Sequence, residues 1–275
     1  MRRKGLIRRR KDPWQVRVRR DRPTGVAWAA ALAITMLMVY LATLAPQADL
    51  RAQSAFAAPR VTREIEFGAL DMYLVSLYGC QTGEEARLRA SGFTGKGAAG
   101  YVYETDEGWQ VLGAAYEESR DAERIAERLS SDENIDAQVV RIKADRVAMR
   151  ITAPQVQIEA VAAAEALLRS QTAQLGDMAL QLDRDEISSG AACTLCAVAS
   201  TQATAAAQVL RQIPGANEND LCRRLIERLE SLDKLLRAVA GAAGEAPSTL
   251  SGMLRCAQID TFIGQAELQQ ALLRG

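Results

Sequence analysis

The chain has 275 residues, 34 Lys/Arg balanced by 34 Asp/Glu, and no histidine. That length allows one or two domains, and the missing imidazole removes the side chain that most often moves protons near neutral pH. The zero net charge conceals an asymmetry: residues 1–22 carry eleven Lys/Arg against Asp12 and Asp21, a net of +9, so the chain from Pro46 onward sums to −9.

The basic tail, residues 1–23, runs into Thr24–Ala45, TGVAWAAALAITMLMVYLATLA, 22 uncharged and mostly apolar residues. As a helix this segment would span roughly 33 Å, enough to cross a bilayer. The cationic flank puts its N-terminal side in the cytoplasm under the positive-inside bias. A cleaved signal peptide is the rival, but its apolar core runs to only about 7–15 residues, and Pro46 sits badly beside the best small-residue site. The expectation is an uncleaved single-pass transmembrane helix in the cell membrane, with all later domains extracytoplasmic. The acidic balance of that exported part argues against nucleic acid as a partner.

Residues 46–66 begin rich in Ala, Gln and Pro and read as a linker. Residues 67–145 hold an internal repeat. YLVSLYGCQTGEEARLRASGF from Tyr73 overlays WQVLGAAYEESRDAERIAERL from Trp109 without a gap, at a shift of 36 residues. Three of the 21 aligned positions are identical, namely Val75 with Val111, Ala86 with Ala122 and Ala90 with Ala126, so the pattern matters more than identity. Each copy opens with a strand-like apolar run, turns through polar residues, and enters a helix with apolar positions at i, i+4 and i+7. Thr82 with Glu85 forms a capping box, Ser119 with Asp121 can cap the second helix, and Ser91-Gly92 marks the exit of the first. Second strands are expected at Gly100–Glu104 and Asp136–Lys143, and the hairpin ETDEG at Glu104–Gly108 joins the copies.

The sum is βαββαβ, a four-stranded sheet with two helices on one face. Alternation turns Tyr73, Val75, Leu77, Trp109, Val111 and Gly113 toward the helices. Leu74, Ser76, Tyr78, Gln110, Leu112 and Ala114 then face the other side. That side is either open to an extended ligand or covered by residues 61–70 or by the C-terminal region.

From 153 to 275 strand signals vanish and an all-α helical region follows, with helices expected at about 154–184, 186–213, 217–242 and 246–273. Leu221, Leu225, Leu229, Leu232 and Leu235-Leu236 mark an amphipathic face suited to an antiparallel bundle. Cys193, Cys196, Cys222 and Cys256 are candidate disulfide partners, with burial in Ala-rich packing as the other reading. The Cys193–Cys196 CxxC lacks the strand-then-helix setting of a redox motif, and four cysteines so spaced are a weak zinc signal. The carboxylates cluster at helix starts and turns, and a serine triad lacks its histidine. A noncatalytic protein without cofactor or metal is expected.

The aligned residues resemble the SPOR (sporulation-related repeat) domain family over about Leu70–Lys143, most closely in GWQVLGAAYEESRDAERIAERL. The resemblance implies binding to peptidoglycan glycan strands stripped of stem peptides, in cell division or sporulation, by a domain often hung from one N-terminal membrane helix. On this chain the implied glycan face holds Ser76, Tyr78, Tyr101, Tyr103, Gln110 and Leu112. The chain departs from the family at Ser76, where many members carry Gln, and at Tyr78 and Ala114, where they carry Gly. The alternative is a membrane-tethered scaffold without glycan affinity, whose C-terminal helices bind another envelope protein.

Overall fold

The computed structural model describes residues 59–274; the basic tail, the expected anchor at Thr24–Ala45 and most of the expected linker lie outside the described residues. The class is α+β, with two antiparallel sheets and, among the described residues, six helices. In chain order these are β1 (Arg60–Phe67), β2 (Leu70–Cys80), α1 (Gly83–Thr94), β3 (Tyr101–Thr105), β4 (Gly108–Tyr116), α2 (Ser119–Asp132), β5 (Gln138–Ala144), β6 (Val147–Pro154), α3 (Gln155–Asp183), α4 (Ser189–Arg211), α5 (Asp220–Gly241) and α6 (Pro247–Arg274).

The repeat folds as two βαβ halves, β2-α1-β3 and β4-α2-β5, whose strands interleave in the order β3-β4-β2-β5. The first strand of each half is central, and its second strand pairs with the other half's first strand. Neither half can therefore complete a sheet alone. Thr82 caps α1 as its sequence demands, accepting from the Glu85 amide at 3.2 Å. α2 starts at Ser119 without a side-chain cap, and Asp121 instead pairs with Arg124 at 2.9 Å. α1 continues past Ser91-Gly92 to Thr94, and Gly97 and Gly100 in the following loop are the residues with positive φ.

The end of the expected linker is structured. β1 pairs with β6 in register from Arg60↔Pro154 to Phe67↔Val147, forming a ribbon that brackets the four-stranded sheet in sequence. Its apolar side, including Ile65, Phe67 and Val147, joins the core of the helical region. The Gly68 carbonyl between β1 and β2 accepts from Arg169 of α3 at 2.9 Å and from Gln269 of α6 at 3.0 Å. The ribbon is thereby fastened to two helices at once.

The helical region is a four-helix arrangement in which α4 packs on α5 and α3 on α6. The leucine spacing of α5 does what its period implies: Leu225, Leu229, Leu232 and Leu236 are buried. Helix α6 differs. Leu250, Leu254, Ala257 and Leu268 enter the bundle core, while Ile259, Phe262, Ile263 and Ala266 enter the core of the four-stranded sheet. A helix apolar on both sides must be enclosed on both sides. At its N-terminal end Gly252 lies so close to the loop after α1 that a Cβ there would stand 2.6 Å from the Thr94 and Ala98 carbonyl oxygens. The sheet and the bundle, expected as separate domains at 67–145 and 153–275, thus share one helix and form a single compact unit across the described residues.

A fragment of residues 57–275 retains Trp109 as its single tryptophan, on the sheet. Urea unfolding followed by Trp109 fluorescence and by helical circular dichroism is expected to give coincident transitions. Phe262→Ala should lower both together by about 3–5 kcal/mol. A shift in one signal alone would show that α6 does not link the two cores.

Candidate functional site

The surface singled out by the sequence is the side of the sheet away from α1 and α2. Met72 and Leu74 of β2, Leu112 of β4 and Ala144 of β5 lie there, with Tyr101 and Tyr103 packed beside them. Against these residues stand Ile259, Phe262, Ile263 and Ala266, each no more than 3 % exposed. The face is therefore occupied by α6 rather than open. Of the two coverings the sequence allowed, the C-terminal region supplies it.

The structure treats the six expected glycan residues differently. Leu112 is fully buried and Ser76 is 6 % exposed. Tyr101 and Tyr103 are on the expected side, but beneath or beside α6. Burial raises the Tyr101 phenol well above its usual range, with the Asp260 and Glu267 carboxylates adding to the effect. The Tyr103 phenol is raised for the same first reason, then by Glu267 and Asp106. Gln110 is half-buried and its side-chain carbonyl has no hydrogen-bond partner.

Tyr78 lies on the opposite face, which corrects the alternation argument. The ladder between β2 and β4 slips twice, pairing Val75 with Ala114, Ser76 with Leu112, and Tyr78 with Val111. Gly113 and Leu77 are the two extra residues, one bulge on each strand. Each bulge shifts the side-chain period by one. Tyr78 consequently shares the side of Val111 and packs on α1, its ring 5.9 Å from that of Phe93 and 4.5 Å from the Arg89 guanidinium carbon. Ala114 moves with Val75 to the helix side by the same mechanism. A Cβ at Gly113 would come within 2.8 Å of the Leu77 side chain, which would have to shift to admit it. The sequence signal for this irregularity was Gly113 itself, a glycine inside a strand pattern.

All five cysteines are free, which removes the candidate disulfides at Cys193, Cys196, Cys222 and Cys256. The reason is geometric. The Cys193 thiol donates to the Val239 carbonyl at 3.3 Å near the end of α5. Cys222 lies near the start of α5, about 25 Å further along the helix at 1.5 Å per residue. Cys256 belongs to the sheet-side core with Tyr101. Burial pushes the Cys196 thiol up to about 12, with Cys193 adding, and the Cys256 thiol up to about 11, with Asp260 adding. Thiolates so disfavoured are poor nucleophiles. Among the described residues no group of His, Cys, Asp or Glu is placed to hold a metal ion.

One helix among the described residues, Ser189–Arg211, is long and apolar enough to cross a membrane by length and composition. Its buried side, including Ala192, Cys196, Ala203 and Leu210, belongs to the bundle core, while Leu195, Val198 and Val209 are exposed. Comparison with protein-family models, curated proteins and solved structures finds no match to this chain.

The raised thiols give a signed prediction. An unfolded cysteine releases its proton near pH 9, whereas Cys196 holds its proton to about 12. Their contribution to stability is complete below pH 9 and falls as pH rises from 9 toward 12, because the unfolded chain then binds fewer protons. Denaturant midpoints measured at pH 8, 9.5 and 10.5 should decline in that order. Cys196→Ala should flatten the decline.

Proposed function

We propose that this chain is a noncatalytic, membrane-anchored protein of the cell envelope, in which a SPOR-like sheet is built into a helical scaffold that contacts another envelope protein. The observation that carries this reading is the occupation of the sheet's second face by Ile259, Phe262, Ile263 and Ala266. A polysaccharide strand would have to displace them, and burial of side chains of this size contributes about 1.5–3 kcal/mol each for the larger ones. Such a helix belongs to the core and is not a cover that a weak ligand lifts. Partner contact is supported by the solvent side of α4, where Leu195, Val198 and Val209 are exposed in a segment with no charged residue from Ser189 to Leu210. The tail and anchor enter the proposal from the sequence alone.

Binding of denuded glycan strands is the second reading. Its support is the four-stranded sheet of two βαβ halves, the βαββαβ unit expected from the internal repeat that carries the family resemblance. It requires a surface other than the one beneath α6.

Co-sedimentation of the 57–275 fragment with purified sacculi separates the two. The scaffold reading expects the same small bound fraction on untreated sacculi and on sacculi stripped of stem peptides by an amidase. Severalfold enrichment on the stripped material would reinstate glycan recognition.

A further inference from the structure

A cavity that neither reading uses lies where the start of β2, the end of β4 and helices α3 and α6 meet. Its volume is about 240 Å³. Drug-sized sites run from about 300 to 1,000 Å³, so this one suits a smaller molecule.

The inner wall is apolar, made by Leu70, Met72 and Phe262, none more than 8 % exposed. Two polar side chains interrupt it, Thr172 of α3 and Gln265 of α6, at 6 % and 4 % exposure. Their hydrogen bonding leaves one group over. Thr172 has a single hydroxyl hydrogen, which it donates to the Leu168 carbonyl at 3.1 Å, one turn back in α3. The Gln265 side-chain oxygen stands 3.4 Å from the same hydroxyl and receives no hydrogen from it. Turned end for end, the Gln265 amide would donate to Thr172 through its nitrogen and leave its oxygen over. In either orientation one polar end of this enclosed amide has no partner among the described residues. Buried amides are rarely left so, because the bond to bulk water is lost and nothing replaces it. The cavity that Gln265 lines is the space from which a partner can come.

The charges at the mouth select against ions. Asp71 accepts from Arg141 at 2.8 Å, and that bond holds its carboxyl below the usual range. Arg169, the cation in the lining, donates to Glu165 at 2.8 Å and to the Gly68 carbonyl at 2.9 Å. Glu117 remains, exposed to solvent, and repels an anion. No free cation waits for a carboxylate, and no carboxylate is enclosed deeply enough to hold an ammonium. A neutral ligand requires neither. A carboxamide both donates and accepts, so it satisfies Gln265 in whichever orientation that amide sits.

We propose that this cavity binds a small neutral carboxamide with a branched apolar body, its alkyl group against Leu70, Met72 and Phe262 and its amide against Gln265. The site is independent of whether the protein recognises glycan or a protein partner.

The test is methyl NMR of the 57–275 fragment titrated with isovaleramide, isobutyramide and isovalerate. Isovaleramide should produce saturable shifts at Leu70, Met72 and Thr172. Isobutyramide, one methylene shorter, should bind about fourfold more weakly. Isovalerate at pH 7 has the same shape with a charge that nothing in the cavity pairs, and should bind at least about tenfold more weakly. Gln265→Met keeps the shape and removes the amide, so it should weaken isovaleramide about fivefold without lowering the denaturant midpoint. Ala173 is exposed at the mouth, and Ala173→Leu should close the entrance and abolish binding with the fold intact by circular dichroism. Absence of saturable shifts in the cavity overturns the proposal, as do shifts confined to Leu195, Val198 and Val209 of α4. Isovalerate binding as tightly as isovaleramide, or full affinity in Gln265→Met or Ala173→Leu, overturns it equally.

Discussion

The arrangement depends on one helix having two apolar sides. α6 places Leu250, Leu254 and Ala257 in the bundle and Ile259, Phe262 and Ile263 on the sheet. Neither core is complete without it: a four-stranded sheet with helices on one side leaves its other side wet, and the bundle lacks its fourth helix. Close-packed interiors cannot lose a helix and stay closed. What would have been two tethered modules is packed as one body.

This constraint also orders the functional possibilities. In a free βαββαβ sheet the second face is the natural place for an extended ligand, flat and lined by tyrosines and amides. Here Tyr101 and Tyr103 spend their ring surfaces on the chain's own helix, and Leu112 is sealed. Surfaces left to recognise something lie elsewhere: the uncharged outer side of α4, and the cavity where β2 meets α3 and α6. The thiols, high in pKa and enclosed, fit packing rather than exchange.

Two local irregularities matter out of proportion to their size. The opposed bulges at Leu77 and Gly113 reverse the facing of every residue beyond them on their strands. They carry Tyr78 from one side of the sheet to the other, where it meets Phe93 and Arg89.

Much of the fold was readable along the chain. The shift of 36 residues from Tyr73 to Trp109 gave the paired halves, and Thr82 with Glu85 gave the start of α1. Breaks at Pro214-Gly215 and around Gly241–Gly244 bounded the bundle helices to within a few residues, because periodicity and turn chemistry are local properties. The β1–β6 ribbon was missed since β1 alternates with charge and the two strands pair across 80 residues or more. The double role of α6 was visible only indirectly: PSTLSGMLRCAQIDTFIGQAELQQALLR carries just four charges, too few for a helix with one wet side. Which surface would cover which was decided by tertiary packing alone. Burial is a property of facing pairs, and a sequence states the apolarity of each partner without stating which partner it meets.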